Sequence, residues 1–173
     1  ICYGIFAHNK HTIMQRIFLV GFMGSGKTAM GKLLARRHGL SFIDLDSYIE
    51  SKFRKTIAQI FTEAGETGFR KIEKNCLHEV AEFEDVVIAT GGGAPCFYDN
   101  MDFMNQCGET IYIRLTPGHL AERLSSSRAG VRPLLKDKTG DELEQYITET
   151  LQKREPYYLR ANRIIEEIGR AHV

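Results

Sequence analysis

The sequence predicts an α/β protein with a central five-stranded parallel sheet and helices on both faces. Three observations carry that expectation. From Arg16 onward, strand-like apolar runs alternate with segments of helical periodicity, as they do when helical crossovers join parallel strands. The run from Val86 to Ala89 is apolar throughout, the form of a strand buried on both faces. Between an apolar run and a helical pattern stands Gly-Phe-Met-Gly-Ser-Gly-Lys-Thr, Gly21 to Thr28, with the G-x-x-x-x-G-K-[ST] spacing of a phosphate-binding loop.

Each element follows in order. Arg16 to Val20 is the first strand, and Lys27 to His38 the helix after the loop, with Met30, Leu33 and Leu34 on one side and Gly39 as a left-handed stop. Ser41 to Leu45 reads as the second strand, with Asp44 and Asp46 at its C-terminal end, where alternation would put both carboxylates on one side. Asp46 to Phe53 and Thr56 to Ala64 read as short helices. In the second, Phe61 has the spacing of a core residue, the favoured reading, with lining a site as the alternative. Gly65 interrupts, and Glu66 to Glu82 forms a longer helix with the apolar stripe Phe69, Ile72, Cys76, Leu77 and Val80; Arg70 and Glu73, one turn apart on its flank, read by themselves as a solvated ion pair.

After the third strand, Val86 to Ala89, the chain reads Thr90-Gly91-Gly92-Gly93-Ala94-Pro95. Three consecutive residues without side chains suggest a loop that something approaches closely, a ligand in the first instance. Asp99 to Cys107 reads as a helix, Thr110 to Leu115 as the fourth strand, and Pro117 opens a helix to about Ser125. Residues 125–139 are cationic and lack periodicity; Arg128, Arg132 and Lys136 suit a mobile lid over an anionic ligand, or an ordinary surface loop. Asp141 to Tyr158 is a second long helix and Arg163 to Ile168 the fifth strand.

Composition narrows the class of function. The 173 residues, 43% of them hydrophobic, suit one domain over 14–173, with 1–13 read as a leader or appendage outside the fold. A net charge of +1 argues against nucleic acid as the partner and points to small molecules. No apolar run approaches a membrane span. The cysteines Cys2, Cys76, Cys96 and Cys107 lack C-x-x-C spacing and read as thiols in a reducing cytoplasm. Without a coiled-coil repeat, a monomer is the expectation.

Ligands of such sheets bind beyond the carboxyl ends of the strands, which would bring the phosphate loop, the Asp44/Asp46 pair, the glycine run and the lid to one rim. In the loop, glycine backbone would wrap a triphosphate, Lys27 would reach the terminal phosphates, and Thr28 would ligate magnesium. Many such ATPases close the third strand on an acid that holds the metal, but here it closes on Thr90. The acidic role passes most economically to Asp44, leaving Asp46 to orient or deprotonate an acceptor hydroxyl.

Further motifs narrow the reading: Gly65-Glu66 followed by Phe69-Arg70-Lys71-Ile72-Glu73, the triple glycine, Arg132-Pro133-Leu134-Leu135, and Arg154-Glu155-Pro156-Tyr157. With the loop and Asp44-Leu45-Asp46, and in this order from Arg16 to about Ile168, they make the chain resemble the shikimate kinases. The resemblance implies a three-layer P-loop kinase fold with a mobile lid, and ATP-dependent phosphorylation of the shikimate 3-hydroxyl in aromatic amino-acid biosynthesis. By that resemblance Gly24, Ser25, Gly26, Lys27, Thr28 and Ala29 would hold ATP phosphates, and Mg²⁺ would bind Thr28 directly and Asp44 through water. Asp46, Arg70, Arg154 and the glycines Gly91, Gly92 and Gly93 would bind shikimate, with Glu73 positioning Arg70. Arg132 would swing in with the lid, and Arg123 would flank the adenine; Lys27, Asp46 and Arg132 would be the catalytic set.

The chain departs from that family after the fifth strand, where Gly169-Arg170-Ala171-His172-Val173 stands in place of an adenine-side loop and final helix; Arg170 is the candidate adenine contact there. Two other readings are a nucleotide-dependent switch, which would have no use for Arg70 and Arg154, and a kinase of another small acid or alcohol.

Overall fold

The computed structural model describes residues 15–126 and 140–166. Strands β1 (Arg16–Val20), β2 (Ser41–Asp44), β3 (Val86–Ala89), β4 (Glu109–Arg114) and β5 (Arg163–Glu166) form one sheet in the order β2-β3-β1-β4-β5. Every pairing is parallel. Between them run α1 (Lys27–His38), α2 (Leu45–Phe53), α3 (Ile57–Val80), α4 (Asn100–Cys107), α5 (Pro117–Ser126) and α6 (Gly140–Tyr158). A single 3-10 turn, Ala94–Cys96, follows the triple glycine.

Helices cover both faces of the sheet. Leu19 pairs with Ile111 and Val20 with Tyr112, so Leu19 and Tyr112 point to opposite sides. On the Leu19 side, Gly31 of α1 lies against Phe42 and Leu19 with no room for a Cβ. On the other side Tyr158 of α6 packs at a tilt on Tyr112, ring centres 5.1 Å apart. β1 lies in the middle with Phe18, Leu19 and Val20 wholly buried, and all four residues of β3 are buried. With β3 on one side of β1 and β4 on the other, connections diverge at the C-terminal end of β1, where open sheets form a ligand crevice.

Two local features differ from the sequence expectation. The second strand stops at Asp44 because Asp44 caps the next helix: its backbone is extended and its carboxylate accepts from the Ser47 N–H at 3.1 Å. Asp46 therefore sits in the first turn of α2, and strand alternation is not what aligns it with Asp44. The two helices expected over 56–64 and 66–82 abut as α3, entered through a Thr56/Gln59 capping box and broken at Gly65, whose φ of 67° no helix contains. The leader 1–13, most of the expected lid and the expected end of the fifth strand lie outside the described residues.

Candidate active site

The phosphate loop turns out of β1 through glycines at positive φ. Gly21 has φ 144°, and a Cβ there would stand 2.7 Å from the carbonyl of Ile113. Gly24 and Gly26 take the left-handed conformation at φ 78° and 92°. Gly26 is also the N-cap of α1 and has no side chain to satisfy the helix amides, so these donors face the concavity of the loop. Lys27 is 8% exposed, and its ammonium donates to the carbonyls of Gly21 and Phe22 at 2.7 Å each, folding back over the loop. From α5, Arg123 donates to the Ser25 carbonyl at 3.4 Å, while Leu124 covers Gly24.

Thr28 and Asp44 meet at the edge of this loop. The Thr28 hydroxyl donates to Asp44 Oδ2 at 3.0 Å, while Oδ1 is held by the Ser47 N–H. The result is an oriented pair of oxygen ligands, a hydroxyl and a carboxylate, which suits a small hard cation. Thr90 takes no part: its backbone N–H and its hydroxyl both bond the Leu19 carbonyl, tying β3 to β1.

Beyond β3, each glycine of the triple run admits a charged side chain from elsewhere in the fold. A Cβ on Gly91 would stand 3.0 Å from both Asp46 Oδ1 and Glu73 Oε1. One on Gly92 would lie 3.5 Å from Arg154 Nη1 and 3.2 Å from the Met23 N, and one on Gly93 would lie 2.7 Å from Arg70 Nη1. The run thus gathers Asp46 from α2, Arg70 and Glu73 from α3 and Arg154 from α6 around one stretch of bare backbone. The Asn100 side chain secures its far end by donating to the Ala94 carbonyl at 2.9 Å.

Arg70 and Glu73 are not a solvated pair. Arg70 is 8% exposed and Glu73 1%, and they bond at 2.7 Å. Burial pushes the Glu73 carboxyl above its ordinary value, with Arg70 opposing that shift. The Arg70 guanidinium lies 4.2 Å from the ring centre of Phe97, 5.2 Å from Phe69 and 5.9 Å from Phe61. Phe61 is itself stacked on Phe69, so it serves the packing and the site together. The Arg70 Nε is buried with no hydrogen-bond partner among the described residues. Arg154 lies over the Phe22 ring at 5.8 Å.

Comparison with known proteins shows the family. A family model described as shikimate kinase matches residues 23–172. The chain belongs to the shikimate kinase family. It is accordingly a phosphotransferase with an alcohol acceptor. A shikimate kinase from Parabacteroides distasonis is 57% identical over 149 residues, covering 86% of this chain and 86% of its own. The crystal structure of the Bacteroides thetaiotaomicron shikimate kinase superposes with a TM-score of 0.86 at 54% identity, over 89% of this chain and 87% of that one. A shikimate kinase from Acinetobacter baumannii, solved in complex with shikimate, gives 0.80 at 37% identity over 90% and 84% of the two chains.

For a shikimate kinase, the described residues bring together Gly24 to Ala29, Asp44, Asp46, Arg70, Gly91 to Gly93, Arg123 and Arg154. Arg132, Arg170 and the remaining lid cations Arg128 and Lys136 lie outside them. Sequence reasoning missed Phe97, Phe22 and Tyr158, whose hydroxyl donates to the Gly92 carbonyl. A signal for Tyr158 was available. It stands four residues after Arg154, on the same helix face. Among the described residues no helix is long and apolar enough to cross a membrane.

Proposed function

We propose that this protein is a shikimate kinase that transfers the γ-phosphoryl group of ATP to the 3-hydroxyl of shikimate, a step of aromatic amino-acid biosynthesis in the cytoplasm. The observation that carries the substrate is the convergence of Arg70 and Arg154 with Asp46 on the triple glycine. A carboxylate on a small polyol calls for guanidinium forks, and its hydroxyls call for a carboxylate acceptor and backbone N–H donors.

In this reading Gly24 to Ala29 cradle the ATP phosphates, and Lys27 leaves its loop carbonyls for the β- and γ-phosphate oxygens. Arg123 flanks the adenine, with Arg170 as a second contact, and Arg132 closes on the phosphates. Mg²⁺ would be held by Thr28 directly and by Asp44 through water, a role supported by the paired oxygens at 3.0 Å, and would supply charge neutralisation at the transferring phosphate. Arg70, positioned by Glu73, and Arg154 grip the shikimate carboxylate. Asp46 orients the 3-hydroxyl and takes its proton as the oxygen bonds to the γ-phosphorus and the bond to the ADP oxygen breaks. Positioning and charge stabilisation supply most of the acceleration. The protein is proposed to act as a monomer, without nucleic-acid or membrane partners.

The test is a coupled ADP-release assay with shikimate, with no acceptor, and with gluconate or nucleoside monophosphates in its place. ADP release that depends on shikimate and collapses in Asp46→Asn is expected. Turnover of gluconate with none of shikimate would overturn the reading.

A further inference from the structure

Tyr158 ends α6 with its side chain at 0% exposure, one helical turn beyond Arg154. Its hydroxyl donates to the Gly92 carbonyl, across 66 residues of sequence. Arg154 stands one turn earlier on α6, within electrostatic reach of the same hydroxyl, and the Tyr112 ring packs beside Tyr158. Burial drives the Tyr158 hydroxyl far above the ordinary tyrosine range, so it remains a neutral donor. In a planar trans peptide the C=O and N–H point in opposite directions. Anchoring the Gly92 carbonyl therefore turns the Gly93 N–H away from Tyr158. Among the described residues no protein group accepts from the Gly92 or Gly93 N–H. The anchored peptide also borders the phosphate loop, since Gly92 lies against the Met23 N and the Gly21 carbonyl.

We infer that Tyr158 is a positioning residue for the acceptor: its hydroxyl sets the plane of the Gly92–Gly93 peptide so that the N–H edge faces shikimate, alongside Arg154. The inference rests on the shikimate kinase reading. It ties the glycine loop to α6, the helix that carries Arg154, across the 62 residues of sequence between Gly92 and Arg154.

Tyr158→Phe removes only that hydroxyl. Loss of a buried hydrogen bond and of the peptide orientation should raise the KM for shikimate about tenfold and leave the KM for ATP within about twofold. Calorimetric shikimate affinity should fall in parallel. Tyr112→Phe, which loses a bond to Glu155 at 3.2 Å and nothing at the glycine loop, should leave both constants within about twofold of wild type. In wild-type protein, the Gly93 amide resonance should shift on titration with shikimate, a readout that does not depend on how well the variant folds. A Tyr158→Phe enzyme that melts earlier but keeps its shikimate KM, an equal rise in both KM values, or a Gly93 amide indifferent to shikimate overturns the inference. Absence of shikimate turnover in the wild type overturns the functional reading itself and the inference with it.

Discussion

The loop from Gly21 to Thr28 builds its site from eight consecutive residues, largely from backbone groups, whereas the proposed acceptor wall draws Asp46 from α2, Arg70 and Glu73 from α3, glycines from the end of β3 and Arg154 from α6. The first needs only a strand before it and a helix after it. The second exists only when four elements are packed closely together, because Asp46, Glu73 and Arg70 crowd the α-carbons of Gly91 and Gly93 too tightly for a methyl, while Arg154 touches Gly92 at ordinary contact distance. The phosphate loop should therefore lose chemistry without losing the acceptor, and the acceptor wall should lose its ligand through changes that never touch ATP.

Lys27→Met gives the sharpest break. Turnover should fall about a thousandfold, as expected when a charge stabilising the transferring phosphate is removed. Shikimate affinity measured by calorimetry should stay within about twofold; if it collapses as well, the two regions are not separable. Next is Gly93→Ala, whose methyl must displace the Arg70 guanidinium from between the loop and Phe97. A displacement of that size should lower kcat/KM for shikimate about a hundredfold while the KM for ATP holds. Arg70→Lys keeps the charge but loses the fork, and should raise the shikimate KM about tenfold, or about 1.4 kcal/mol. An equal effect on the KM for ATP would place Arg70 on the wrong side of the comparison.

The smallest effect concerns pH. Glu73 has a folded-state pKa above its ordinary 4.5, because burial outweighs the Arg70 pairing. The folded state then binds more protons than the unfolded chain between those two values, so Glu73's contribution to stability falls as pH rises from the ordinary value through the raised one. Glu73→Gln removes that titration. Melting curves from about pH 4 to about pH 8 should show a wild-type loss on the alkaline side of this window that the variant lacks. A wild-type advantage that instead grows with pH would mean that the Arg70 pairing dominates.

The legibility of the sequence follows the same divide. β1, α1 and β3 have the bounds that periodicity predicts, because strand burial, a glycine stop and an apolar run are local signals. Asp44 and Asp46 both reach the rim, but by helix capping and not by strand alternation, since the capping bond to Ser47 ends β2 one residue early. Arg70 and Glu73, one turn apart, look in sequence like any surface pair. Only the phenylalanines and the glycine loop brought over them by the fold remove water and make the pair a buried one. The triple glycine announces a close approach to backbone, and the structure adds the protein's own carboxylates and guanidiniums to what approaches it.

By itself, the sequence determined a parallel α/β fold, a phosphate-binding loop and a family, because each is written in the spacing within short motifs and in their order along the chain, neither of which depends on a distance across the fold. The tertiary structure decided which charges are dry, which glycine faces which side chain, and that Tyr158 anchors the loop beside Arg154. Those properties depend on distances between residues far apart in the chain, and packing of the whole core sets such distances.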